Sequence, residues 1–414
     1  MKYSAKEPCT SPRPFQLKNT IQHYAWGNSG DQAFIAHLLG IDPEHDTPFA
    51  ELWMGVHPKA PSTIIDPNSG PQALSDWISE APEEHLDLKF SGSDQANLPY
   101  LLKVLSANQA LSIQAHPDKA QAELLNRNDS IHYPDDNHKP EIAIAIDHLD
   151  ALVGFISQAS FQKLLSEMPE LQKLLQRDEN QIDSLQASIL YLLNLSRHQS
   201  KVITSTIEAL QNRLTQKDDL DEAEVLFLNL SKQYGTMDVG LIFLFFLKRV
   251  HLGPGEAIFL PPGIPHAYLK GNIIECMANS DNVVRLGLTE KFCDTQALAE
   301  ILRFEEHQDF KVNTSSDGYL TEYMTPTNEF TVKSLALMQG ESRAFTLKDS
   351  LTMFLLLEGE ISLRWDTGTS SCTCVYRRGN SFVAPANLMD FSIQAKNHSK
   401  LFLVDIPRDL PQPT

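Results

Sequence analysis

The sequence predicts a mainly β protein interrupted by a helical insertion, with two β-barrel lobes and one all-α domain. Three observations lead there. Residues 15–155 alternate short apolar segments with Pro, Gly, Asn and Asp turns, as the strands of a decorated barrel do. From Ser157 to about Val250 the apolar period lengthens to that of a helix. From about Pro326 to Thr414 the strand pattern returns, with segments such as FLLLEGEISLRW. The expected domains are residues 1–155 together with 250–320, the insertion 156–249, and a C-terminal lobe 321–414.

In the insertion, Phe161, Leu164, Leu165, Met168, Leu171 and Leu175 recur at steps of three and four, and Ile189, Leu192 and Leu193 continue that period. Val202, Ile203, Ile207, Leu210 and Leu214 repeat it once more. Such stripes read as helix packing surfaces rather than as a docking face for a partner. Asp238 has the side chain to cap a last helix running through Arg249, after which Gly253-Pro254-Gly255 turns the chain back into strand.

The chain has 414 residues, enough for two or three cores, and a formal net charge of −19 with no run of Lys or Arg. That balance leaves nucleic acid without an electrostatic footprint. The longest apolar run, Val239 to Leu247, is too short to cross a bilayer, and the opening MKYSAKEPCTSPRPF lacks the apolar core of a signal peptide. A cytoplasmic location is expected, with no membrane and no obligate protein partner. The five cysteines, at 9, 276, 293, 372 and 374, are few and odd in number, and Cys372-Thr-Cys374 lacks CxxC spacing. Reduced thiols are therefore expected.

The chemistry concentrates in dispersed residues. Gly255, Pro261, Gly263 and His266 in GEAIFLPPGIPHAY describe a strand entering a tight turn that aims one histidine inward. Gln114 and His116 stand two apart in SIQAHPDK and so share one face of an extended strand. Glu141 opens EIAIAI, where alternation with Ala143 and Ala145 gives a carboxylate small inward neighbours. An uncompensated carboxylate in such an apolar run is costly, and a cation opposite it removes the problem. Two imidazoles, one carboxylate and one amide oxygen suit zinc. A degraded copy of the turn recurs as Gly379, Pro385, Ala386, Asn387 and Asp390, with Asp390 where His266 stands and no Q-x-H or H-x-H pair before it. The C-terminal lobe is expected to keep the turn and lack the metal.

The turn ending in His266 resembles the second metal motif of the cupin superfamily of jelly-roll β-barrels. The chain as a whole resembles the type I mannose-6-phosphate isomerases of that superfamily. The blocks that carry the resemblance are YAWG from Tyr24, ELWMGVHP from Glu51, PYLLKVL from Pro99, SIQAHPDK from Ser112, HKPE from His138, PPGIPH from Pro261 and ECMANSDNVVRLGL from Glu275, with Thr289 and Lys291 following. The resemblance implies two cupin lobes, the C-terminal one degenerate, and one zinc ion per chain held by Gln114, His116, Glu141 and His266. It also implies an active-site arginine at Arg285, and an activity that interconverts D-mannose 6-phosphate and D-fructose 6-phosphate. A small hexose 6-phosphate is the implied partner.

Moving a proton between C1 and C2 through an enediol(ate) develops negative charge on oxygen. Zinc held by one carboxylate and three neutral groups keeps about one net positive charge and stays a strong Lewis acid. Arg285, between VV and LGL in a strand that reads as buried, adds fixed charge and is a poor base. Lys139, two residues from Glu141 and expected on the same strand face, is the first candidate for moving the proton. His57, Glu275 and Asp281 are the others, although Glu275 has the option of merely orienting a ligand and Asp281 that of a turn residue. Lys103 and Lys291 either complete a phosphate-binding set or serve as surface salt-bridge partners. Two other classes share some of these features. A metal-dependent cupin dioxygenase is disfavoured by the extra Gln ligand and the Lys/Arg set, and a non-catalytic sugar-binding bicupin by the four ligands retained in one lobe.

Overall fold

The computed structural model describes residues 12–43, 45–66, 69–86, 97–176, 184–304, 309–347, 350–368 and 370–407. Cys9 and the C-terminal residues 408–414 lie outside the described residues.

The sheet that carries the site runs antiparallel in the order Ala257–Leu260, Glu141–Phe155, His266–Ala278, Tyr100–Ala107, Glu51–Gly55, Thr20–Gln22. Ile113–Ala115 lies between His266–Ala278 and Val284–Gly287. Register decides which side chains share a face. Trp53 stands opposite Lys103, Lys103 opposite Glu275, Glu275 opposite Ala143, and Met277 opposite Glu141, which sets a polar row across one face. The alternate residues Leu52, Met54, Leu102, Val104, Ile142, Ile144, Ile274 and Cys276 bury instead with Met353, Leu355, Phe402 and Val404 of the C-terminal strands. These strands are thus covered on both sides, which is why they read as almost unbroken apolar runs.

The second large sheet runs Thr314–Ser316, Leu320–Tyr323, Thr331–Leu337, Ser399–Asp405, Thr352–Glu358, Ser381–Ala384, Phe15–Lys18, Thr63–Asp66, Gly70–Ala73. Its last three strands come from the N-terminal part of the chain, joined through Phe15 opposite Val383 and Gln16 opposite Ile65. Sequence alternation assigned them to a strand class but not to a partner strand. A four-stranded sheet, Ser342–Thr346, Asp390–Ala395, Glu360–Asp366 and Ser371–Arg377, packs on the other side through Leu363, Ile393, Phe354 and Phe382.

The insertion is helical, with Gln158–Glu167, Pro169–Leu175, Leu185–His198, Ser200–Leu214 and Glu222–Tyr234 sharing one core. The first stripe is broken at Met168, which caps one helix as Pro169 opens the next, since proline has no N–H to donate. Val202 is 40% exposed and stands off the stripe that Ile203, Ile207, Leu210 and Leu214 bury. The expected last helix is short: Gly240–Phe243 and one further turn to Phe246, then Leu247–Leu252 as a strand containing Arg249. The run LIFLFFL has no helical period, and tertiary pairing with Glu141–Phe155 decides its second half. Asp238 does not cap that helix from the N-cap position; its carboxylate is used elsewhere, as described below. Among the described residues Cys276, Cys293, Cys372 and Cys374 are free thiols.

Candidate active site

Three buried donors meet at the mouth of the polar row. His116, Glu141 and His266 are 2%, 1% and 1% exposed, and their ligating atoms all lie within 4.8 Å of one another. Each imidazole is aimed by its other nitrogen: His116 Nδ1 donates to the Asn282 carbonyl at 2.8 Å and His266 Nδ1 to the Ile264 carbonyl at 2.9 Å. Both Nε2 atoms then face Glu141, at 3.4 Å from Oε1 and 3.4 Å from Oε2. Gln114 stands opposite His266 in register, with its amide nitrogen 3.5 Å from His266 Nε2, and a half-turn of the amide brings Oε1 to the same place. Among the described residues this is the one His/Cys/Asp/Glu group with metal-binding spacing.

The turns that deliver these ligands are specific. Gly263 has φ 85°, its N–H donates to the His116 carbonyl at 2.8 Å, and a Cβ there would come within 2.6 Å of the Ile301 carbonyl. Only glycine fits such a position. The 280–282 turn is tied by Asp135, which accepts from Ser280 Oγ at 2.7 Å, the Asp281 N–H at 2.7 Å and Asn282 Nδ2 at 3.1 Å. That turn supplies the carbonyl for His116.

Electrostatics fit a cation. Burial pushes the His116 imidazole down to about 4, so it is neutral at pH 7 and free to ligate through Nε2. Burial alone would raise the Glu141 carboxyl, but Lys139 and His116 outweigh it and hold the group well below its ordinary value. His116 Nε2 and Glu141 Oε2 are buried without a hydrogen-bond partner, and such orphaned polar atoms facing one point suit a shared cation.

The cluster opens into a cavity of about 650 Å³ lined by residues that include Tyr24, Trp53, His57, Lys103, Lys139, Tyr234, Tyr268, Asp281, Arg285 and Lys291. Lys139 precedes the Glu141–Phe155 strand rather than lying on it, yet its Nζ reaches Glu141 Oε1 at 3.2 Å. Lys103 is 6% exposed, so it is not a surface partner; its Nζ lies 3.0 Å from Glu275 and 3.8 Å from Glu51. Burial would lower this ammonium, but Glu275, Glu51 and Glu141 raise it above its ordinary value. Burial in turn raises the Glu275 carboxyl. His57 Nε2 and Lys59 Nζ hold the Asp281 carboxylate at 3.2 and 2.8 Å.

Five cationic side chains line the cavity: Lys59, Lys103, Lys139, Arg285 and Lys291. The first three are ion-paired to Asp281, Glu275 and Glu141, whereas Arg285 and Lys291 have no ion-pair partner among the described residues. Burial lowers Arg285, and burial together with the Arg285 charge lowers Lys291, so the two cations feel each other. Arg285 also stands opposite Gln114 in register, beside the metal-suited cluster.

Sequence reasoning did not single out Glu51, Trp53, Lys59, Tyr268 or Asp135. The first two sit two apart in ELW, a spacing that signals one strand face but not its orientation. Asp135 looked like any turn residue in PDDN.

Residues 14–158 match the family described as phosphomannose isomerase type I, catalytic domain. Over 427 residues the chain is 35% identical to the mannose-6-phosphate isomerase of Mus musculus, covering 97% of each chain. The chain belongs to the mannose-6-phosphate isomerase family. The Homo sapiens mannose-6-phosphate isomerase is 35% identical over 406 residues, covering 91% of this chain and 94% of the human one. The solved mannose 6-phosphate isomerase from Salmonella typhimurium, bound to substrate and to a zinc atom, superposes with a TM-score of 0.82 at 29% identity, covering 95% of this chain and all of that one. The fold is therefore that of a phosphomannose isomerase, with the cupin architecture the family carries. No helix among the described residues is long and apolar enough to cross a membrane.

Proposed function

We propose that this protein interconverts D-mannose 6-phosphate and D-fructose 6-phosphate, using zinc held by His116, Glu141, His266 and the amide oxygen of Gln114. The observation that carries the reading is the pairing of an orphaned, buried two-histidine, one-carboxylate cluster with two unpaired cations in one cavity. The donor set fits zinc in ligand type, and the single carboxylate leaves net positive charge. When bound there, zinc supplies Lewis acidity toward the substrate's carbonyl and hydroxyl oxygens.

The remaining work falls to the chain. Arg285 and Lys291 take the phosphate dianion, because the other lining cations already have carboxylate partners. That anchors the sugar with its C1–C2 end toward the Glu141 cluster. Lys139 moves the proton between C1 and C2 through its Nζ, which lies beside the ligand carboxylate. The His57–Asp281 pair and Glu275 are the alternative proton carriers; Glu275 is committed to Lys103 and serves to hold that wall of the cavity. Trp53 covers the same wall, T-shaped against His57 at 4.7 Å. The C-terminal lobe is structural: Asp390 is exposed and accepts from Thr346 Oγ1 at 2.8 Å. A phosphorylated hexose is an intracellular metabolite, which places the protein in the cytoplasm.

The test is a coupled assay of purified, zinc-loaded protein against mannose 6-phosphate, glucose 6-phosphate and unphosphorylated mannose. Turnover confined to mannose 6-phosphate is expected. No turnover, or equal turnover of mannose, refutes the reading.

A further inference from the structure

The strand carrying Arg285, Val284–Gly287, leaves the sheet and turns toward Lys291 over a few residues, and this turn is under constraint. Leu288 has φ 56°, the one non-glycine residue among those described with a left-handed backbone. For a side chain with a Cβ that conformation costs roughly 1–2 kcal/mol, so neighbouring contacts must enforce it. They come from the helical insertion. Asp238 Oδ1 accepts from the Leu288 N–H at 2.9 Å and the Gly240 N–H at 2.7 Å, and Oδ2 accepts from the Thr289 N–H at 3.0 Å. Thr289 Oγ1 then accepts from the Lys291 N–H at 3.1 Å.

The approach is also steric. A Cβ on Gly240 would fall 2.5 Å from the Leu288 nitrogen, and one on Gly287 would fall 2.5 Å from the Gly240 Cα. Two backbones therefore touch where Asp238 binds, and no side chain separates the insertion from the turn. One carboxylate takes three N–H groups, two of them flanking the strained residue. Such charge-assisted bonds to backbone are among the stronger ones a side chain makes.

We infer that Asp238 is a positioning residue for the phosphate end of the site: through the Leu288–Thr289 turn it fixes where Arg285 and Lys291 present their charges. The inference rests on the reading that these two cations take the phosphate. It gives the helical insertion a part in substrate binding, with Tyr234 of the same insertion already lining the cavity.

The experiment uses full-length, zinc-loaded protein, wild type and the variants Asp238→Asn, Asp238→Ala and Arg285→Ala. Inorganic phosphate is the probe, as a competitive inhibitor of mannose 6-phosphate turnover. In Asp238→Ala the phosphate inhibition constant and the KM for mannose 6-phosphate should rise together, by about tenfold, the equivalent of one charge-assisted bond's worth of lost geometry. Zinc content and kcat should stay within a few-fold of wild type. Asp238→Asn keeps an acceptor and should fall between the two, which preserves the test if the alanine variant does not fold. Wild-type KM and phosphate inhibition in Asp238→Asn overturn the inference, as does a loss of kcat, zinc and thermal stability together with an unchanged KM. If Arg285→Ala weakens phosphate inhibition while the Asp238 variants do not, only this inference falls. If Arg285→Ala leaves it unchanged too, the phosphate assignment itself is wrong.

Discussion

Arg285→Lys separates a bidentate anion contact from simple positive charge. In the wild type the guanidinium is half-buried, lacks a protein carboxylate among the described residues, and lies beside Lys291 in the cavity wall. A phosphate there can accept two parallel N–H bonds in the planar fork, each worth about 1.5–3 kcal/mol because both partners are charged. Lysine keeps the charge and one donor direction, so it loses about 2 kcal/mol, or a factor of about 30 in kcat/KM. The assay compares kcat/KM for mannose 6-phosphate with that for unphosphorylated mannose at high enzyme concentration. The loss should be confined to the phosphorylated sugar, with zinc content unchanged. A change under threefold removes the bidentate contact from the account. An equal loss on both sugars moves Arg285 from the phosphate to the reacting carbons.

Three other substitutions probe separate groups. Lys139→Met should retain zinc, lower kcat severely with a modest effect on KM, and abolish exchange of the substrate C2 proton with solvent; wild-type exchange would send the search to His57, Glu275 and Asp281. Asp390→Ala should leave zinc content unchanged and kcat/KM within a few-fold, because its exposed carboxylate bonds only to Thr346 at the surface of the C-terminal lobe; a lost metal equivalent would contradict this. Asp281 concerns pH: burial opposes ionisation, but His57 and Lys59 hold the carboxyl well below its ordinary value. A carboxyl depressed in the folded state stabilises fully above its unfolded value of about 3.9 and loses that contribution as pH falls toward the folded value. The melting-temperature gap between wild type and Asp281→Asn should therefore be widest near neutrality and shrink as pH is lowered from about 4, and a gap that widens in acid would oppose the assignment.

How much of this was legible beforehand differs by level. The ligand candidates were readable because period two on a strand and a Pro/Gly turn are local rules: Gln114 and His116 converge with Glu141 and His266 as those rules imply. Burial stripes in the insertion were readable for the same reason. What failed was anything set by tertiary pairing. Arg249 sits in a strand because Leu247–Leu252 pairs with Glu141–Phe155, which no local propensity announces. The N-terminal strands join the C-terminal sheet through contacts more than 300 residues apart, such as Phe15 with Val383. The charge state of the site was equally non-local. Lys103 and Lys291 look alike in sequence, and only the fold shows one neutralised by Glu275 and Glu51 and the other left unpaired. Asp238 was recognised as a capping residue, and it does bind backbone N–H groups, but across the domain junction rather than in its own helix.

The central claim is that one metal ion, held by His116, Glu141, His266 and Gln114, is required for isomerase turnover. Its most direct test is metal analysis combined with activity during chelation and zinc titration. Chelated protein should be inactive, activity should return in proportion to added zinc and level off at about one ion per chain, and His266→Ala should neither retain metal nor recover. Full activity in metal-free protein, or a second tightly bound zinc ion needed for turnover, would contradict the account.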